Sequence, residues 1–128
     1  MRAWKVLTLA LALAACVEPA PEDLLVGQYD LLSIDGHSVP FRIVLVPGIE
    51  IIQRTLTLAA DGSFDDLIVL RVKEGRDTYH VPLDLVGMYQ GGEPVVSFIY
   101  ESGRQSDALF DGRELELDDR GVTFVFRR

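Results

Sequence analysis

From Leu24 onward, apolar residues fall in short, often alternating runs, and turn residues interrupt them every eight to twelve positions or so. Leu24 to Ile34 leads into Asp35-Gly36, Val39 to Val46 into Pro47-Gly48, and Ile49 to Ala60 into Asp61-Gly62. Ser63 to Lys73 leads into Glu74-Gly75-Arg76-Asp77, Thr78 to Tyr89 into Gly91-Gly92, and Pro94 to Glu101 into Ser102-Gly103. Gln105 to Phe110 and Arg113 to Leu117 follow, each ending in an acidic glycine turn, and Val122 to Arg127 comes last. No stretch keeps a helical period with caps. The pattern predicts eight or nine antiparallel strands joined by hairpins, with Asp-Gly favoured where a two-residue type I′ turn needs positive φ twice.

The alternation assigns faces. Leu115 and Leu117 alternate with acids, and Val122, Phe124 and Phe126 alternate with Thr123, Val125 and Arg127. Phe64, Ile68 and Leu70 lie opposite Asp65 and Arg71, while Tyr79, Val81, Leu83 and Leu85 lie opposite His80 and Asp84. Each strand has one face for a core and one for water. So many strands must hide their edges, and closure into an up-and-down barrel does so. A β-sandwich is the alternative. Phe64, Tyr79, Phe98, Phe110, Phe124 and Phe126 are bulky, and the strands read as short, so the interior is expected to be mostly filled.

Phe41 to Ile52 departs from alternation. It is apolar almost throughout, broken by Pro47-Gly48. Two strands covered on both sides would explain it. So would an apolar lip around a ligand mouth, for which Phe41, Val44, Val46, Ile49 and Ile51 are the candidates.

The first fifteen residues carry a different signal. Arg2 and Lys5 precede an apolar run, Val6 to Ala15, interrupted only by Thr8. The run is about half the length a membrane-spanning helix needs. It ends in Leu13-Ala14-Ala15-Cys16, which resembles the lipobox of bacterial lipoprotein signal peptides. That resemblance implies cleavage before Cys16, a diacylglycerol on its sulfur and attachment to a membrane. Val17 follows in place of the aspartate associated with inner-membrane retention, so the outer membrane is the expected address where a cell has one. Cys16 is the only cysteine, which excludes a disulfide framework. Val17 to Asp23, with two prolines and three acids, reads as a tether reaching roughly 20 Å. The expected organisation is a signal peptide at 1–15, a lipidated cysteine and tether at 16–23, and one β domain at 24–128.

Charge narrows the partners. Without Arg2 and Lys5 the twelve basic residues become ten, against twenty acidic ones, a net charge of −10. Such a surface does not suit nucleic acid.

The segment Gly27-Gln28-Tyr29 through Asp35-Gly36 to Val39-Pro40 resembles the opening of small bacterial lipocalin-like lipoproteins. Leu56-Thr57-Leu58 before Asp61-Gly62-Ser63-Phe64, Gly87-Met88-Tyr89, and Gly121-Val122-Thr123-Phe124 extend the similarity over nearly the whole domain. The resemblance implies a calycin-type barrel without catalysis and supplies no ligand. Lipocalins proper close the barrel base with an arginine stacked on a Gly-x-Trp tryptophan. Here Tyr29 stands at the aromatic position, and Arg127 is the expected cation of this structural latch.

The chemistry-bearing residues are sparse. His37 and His80 lack partners at metal spacing. Ser33, Asp35 and His37 share one strand-turn, where a converging triad cannot form. Asp65 and Asp66 follow Asp61-Gly62 without the ligand repeat of a calcium loop. Nothing resembles a cofactor box, and no enzyme activity is expected. Two readings stay open: a membrane-anchored module binding a small apolar ligand, and an envelope structural or interaction module with a filled barrel.

Overall fold

The computed structural model describes residues 24–43 and 46–128. The expected signal peptide, Cys16, the tether and Val44 lie outside the described residues. Nine strands follow in order: β1 Gly27–Ile34, β2 Phe41–Arg42, β3 Ile49–Leu58, β4 Ser63–Glu74, β5 Asp77–Gly91, β6 Val95–Tyr100, β7 Gln105–Phe110, β8 Glu114–Asp119 and β9 Val122–Arg127. All pairings between strands are antiparallel. β3 to β9 form a meander, and β1 closes it by pairing with β9 on one side and β3 on the other. The result is a closed eight-stranded up-and-down barrel, with β2 as an extra strand beside the start of β3. The sandwich alternative falls, because β1 leaves no seam.

Side chains fill the interior. Tyr29, Phe64, Phe98, Tyr100, Phe110, Phe124 and Phe126 pack with Leu25, Leu56, Leu58, Leu115 and Leu117. The Phe64 ring meets Phe98 and Tyr100 edge-on, at 5.1 and 5.0 Å between centroids, in the arrangement that ring quadrupoles favour. Gly87 makes this possible. It is paired with both Phe64 and Tyr100. A Cβ there would strike the carbonyl oxygen of Ile99 and lie 2.8 Å from the Phe64 ring.

Two bulges explain where alternation fails. In β3, Leu58, Leu56 and Arg54 face inward, and Ile52 is the extra residue between Ile51 and Gln53. Past it, odd positions take over, so Ile51 and Ile49 pair with Leu70 and Val72 on the continuation of the inner face. A second bulge between Leu31 and Ser33 moves the inward position to Ile34. A bulge adds one residue and so inverts the period-two pattern beyond it.

The turns are of two kinds. Asp35 and Gly36 both have positive φ, as do Arg120 and Gly121, which matches the type I′ expectation. At Asp61-Gly62 and Asp111-Gly112 only the glycine does. There the aspartate side chain shapes the turn instead. Asp61 accepts from the Ser63 hydroxyl and N–H, at 2.6 and 2.9 Å. Asp111 accepts from the N–H groups of Glu114 and Arg113, at 2.7 and 2.9 Å. These bonds hold both carboxyls below their ordinary range, since each favours the ionised form.

The strands are not uniformly short. β6 to β9 have six residues each, whereas β4 has twelve and β5 fifteen. β6 pairs only with Gly87 to Gly91 of β5, and β1 only with Thr55 to Leu58 of β3. The outer halves of β3, β4 and β5, with β2 beside them, therefore leave the barrel as a ribbon ending at Gly75-Arg76. Tyr79, expected in the interior, lies on this ribbon and is 43% exposed. Pro82 also sits there, on a stretch of β5 without a β6 partner, where a missing N–H is tolerated.

Candidate functional site

The two ends of the barrel differ, beginning with the latch at the closed one. The β3–β4, β5–β6 and β7–β8 turns gather where β1 begins. The Arg128 guanidinium donates to the carbonyls of Leu24, Val26 and Gly112, at 2.7, 3.2 and 2.7 Å. Its carbon lies 5.4 Å from the Tyr29 ring centroid and 5.8 Å from that of Phe110. The Tyr29 hydroxyl donates to the Leu25 carbonyl at 2.8 Å. Burial pushes this phenol up in pKa, and Arg128 opposes the shift. The latch cation is thus Arg128, not Arg127. Parity explains the correction: Phe124, Phe126 and residue 128 share the inner face of β9, so residue 127 must point outward. Arg127 does so, donating to Glu114 on β8 with its Nε at 3.1 Å.

Below the open end lies a polar cluster inside the core. Arg54 on β3 and Asp66 on β4 are both buried. Arg54 Nε and Nη2 donate to Asp66 Oδ1 and Oδ2 at 2.9 and 2.7 Å. The Tyr100 hydroxyl donates to Asp66 Oδ2 at 2.8 Å. The Arg54 guanidinium also lies 4.5 Å from the centroid of the Phe124 ring. Burial disfavours the charge on Arg54, but hydrogen bonding to Asp66 and its charge outweigh this, and the pKa rises. Burial, then the Asp66 charge, drive the Tyr100 phenol strongly upward. Asp66, which lacks the pattern of a calcium ligand, falls on the inward parity of Phe64 and Ile68. Two opposite charges at inward positions of neighbouring strands were the available signal.

Above this cluster, Arg104 stacks on the Tyr100 ring at 4.4 Å. Its Nη1 donates to both Asp119 oxygens at 2.9 Å. Between these hairpin ends and the base of the ribbon opens a cavity of about 550 Å³. Ile68, Leu83 and Leu85 supply an apolar wall, and Tyr100, Arg104, Asp119 and Arg120 a polar one. Leu83 is 41% exposed.

The residues of the apolar run sit elsewhere. Phe41 and Ile51 face each other on β2 and β3 and pack against the core. Ile49 is half-buried opposite Val72, and Val46 is exposed. None of these four lines the cavity. Asp35, from the rejected triad, accepts the Thr123 N–H at 2.8 Å and ties the β1 turn to β9. His37 lies against Phe41, and His80 is exposed on the ribbon. Among the described residues, no three His, Cys, Asp or Glu side chains gather into a metal site.

Compared with known proteins, the chain matches no family model, no curated protein and no solved structure.

Proposed function

We propose that this chain is an exported, lipid-anchored and non-catalytic barrel of lipocalin-like design that holds one small, largely apolar molecule at its open end. Leu13-Ala14-Ala15-Cys16 supports the anchor, and the absence of aspartate at Val17 favours the outer membrane. The single observation that carries the binding reading is the cavity of about 550 Å³ beneath the ribbon. Its size suits a small ligand, and its apolar wall faces Arg104 and Asp119, which hold each other in place at a rim that also carries Asp84, Glu101, Ser102 and Arg120. The site is at the mouth because the barrel interior is occupied by its own aromatic rings. Native mass spectrometry of the full chain, extracted from membranes in mild detergent, tests the reading. A bound mass lost on delipidation and regained with an apolar probe supports it.

The second reading is an interaction module without a ligand. The exposed apolar side chains Tyr79 and Leu83 on the ribbon favour it. A bare mass and no probe uptake would give it precedence.

A further inference from the structure

The part of the ribbon beyond the cavity is not used by the mouth site. From Val69 to Glu74, β4 runs past the cavity wall, paired with Asp77 to Pro82 of β5, which have no β6 partner. At about 3.3 Å per residue this stretch spans roughly 20 Å. Near its end Ile49, Val72 and Tyr79 form one cross-strand row on the inner face. Arg42, Arg71 and Lys73 lie on the outer face, and Arg76 is in the turn.

The charge here is unlike that of the rest of the domain. Arg42, Arg71, Lys73 and Arg76 meet only Glu50, Glu74 and Asp77, for a net charge of +1. The remainder of residues 24–128 has six basic and fourteen acidic side chains, a net charge of −8. Two of the ribbon acids are engaged locally. Glu50 accepts from Arg71 at 3.0 Å, with Lys73 at 3.9 Å, and Glu74 accepts the Tyr79 hydroxyl at 2.8 Å. Lys73 is 59% exposed and Arg76 is exposed, so both can reach an outside anion.

We propose that the ribbon tip is a membrane-contact element, seating Val72 and Tyr79 at the interface of an anionic phospholipid bilayer with Lys73 and Arg76 against the headgroups. A tyrosine and a half-buried valine directly behind a tip that carries Lys73 and Arg76, beside Glu74 and Asp77, supply the aromatic and cationic groups of an interfacial anchor. The charge distribution sets the orientation: anionic lipid attracts the tip and repels the acidic barrel wall. The wall lies well beyond a Debye length of about 8–10 Å from the tip. A second copy fits this surface less well. Pairing along β5 meets Pro82, which has no N–H for a ladder, and brings two acidic bodies together. The contact is independent of what the mouth holds.

Tryptophan fluorescence tests the proposal on the full chain reconstituted into vesicles. Trp4→Phe removes the only tryptophan of the sequence. Tyr79→Trp then reports on the tip, and Leu109→Trp reports on the exposed outer wall of the barrel. In vesicles of phosphatidylcholine and phosphatidylglycerol with brominated acyl chains, quenching at position 79 should be severalfold greater than at position 109. Adding Lys73→Gln and Arg76→Gln, omitting phosphatidylglycerol, or raising salt to about 1 M, where the Debye length is about 3 Å, should each remove most of that difference. Equal quenching at the two positions overturns the proposal, as does quenching at position 79 that ignores charge and salt. So does a concentration-dependent dimer that shields position 79 from an aqueous quencher in detergent without lipid, because a second copy then covers the tip.

Discussion

Arg54 and Asp66 meet inside the barrel as a two-pronged ion pair, and the Asp66 oxygen nearer Arg54 Nη2 also takes the hydroxyl of Tyr100. Charges removed from water in this way are costly unless every lone pair and proton is matched. The pair therefore acts as a unit. Asp66→Ala leaves a buried guanidinium without its counter-ion and should cost about 3–5 kcal/mol. The double variant Arg54→Met with Asp66→Leu should be much less destabilised than the sum of the single variants. Urea unfolding of the four proteins of this cycle measures the coupling.

The same cluster sets the behaviour in alkali. The Tyr100 phenol is held neutral above the ordinary tyrosine value of 10, by burial first and the Asp66 charge second. The unfolded chain releases that proton near pH 10, whereas the folded chain keeps it. The contribution of Tyr100 to folding stability is thus constant below about pH 10 and falls as pH rises above it. Tyr100→Phe should flatten that decline while losing one hydrogen bond at neutral pH. Ultraviolet titration of the tyrosines, beside unfolding curves at several alkaline pH values, would show it. Equal alkaline slopes in both proteins would rule it out.

Two adjacent arginines give a paired control at the closed end. Arg128 donates to three backbone carbonyls and covers Tyr29. Arg128→Ala should cost about 1–3 kcal/mol, because hydrogen bonds from a charged donor and a ring contact go together. Arg127→Ala breaks only a partly exposed pair with Glu114 and should cost under about 1 kcal/mol. Thermal melts of both variants compare them directly, and equal losses would contradict the parity argument.

At the mouth, Leu83→Asp should lower the affinity for an apolar probe about tenfold, or about 1.4 kcal/mol. Stability should change little, because Leu83 is already partly in water. Ile51→Asp should instead destabilise the barrel, since Ile51 packs against the core. Probe titration beside denaturant unfolding separates the two effects. Unchanged probe affinity in Leu83→Asp would remove the mouth site.

Most strands were legible because one buried face writes itself as period two, and hairpin turns need Gly, Asp and Asn. Leu115, Leu117, Phe124 and Phe126 were placed inward on that ground, and they are buried. What could not be read were the breaks in the period. Ile49 to Ile52 looks like a doubly covered run, but a bulge places successive parts of it on one face by inverting parity. The cavity was illegible for a different reason. Ile68 and Leu85 bear the marks of ordinary core residues, and only the unequal strand lengths expose them. Tyr79 followed the same pattern and stands outside. Arg54 and Asp66 are illegible by type, since a charged side chain on a strand is usually solvated and only their pairing across β3 and β4 lets both be buried.

The seam between β1 and β9 has a consequence for how the fold is reached. Asp30 pairs with Arg127, and Ile34 with Phe124, across almost the whole domain. Every other neighbouring pair in the meander from β3 to β9 is a hairpin and can form as soon as its second strand exists. Synthesis proceeds from the N-terminus, so β1 is made first and satisfied last. Until β9 is complete, β1 has at most one of its two neighbours, and the barrel is an open sheet with bare edges. Closing so long a loop is the entropically expensive step. A chain stalled before Phe124 would be the species most prone to pair with another like itself.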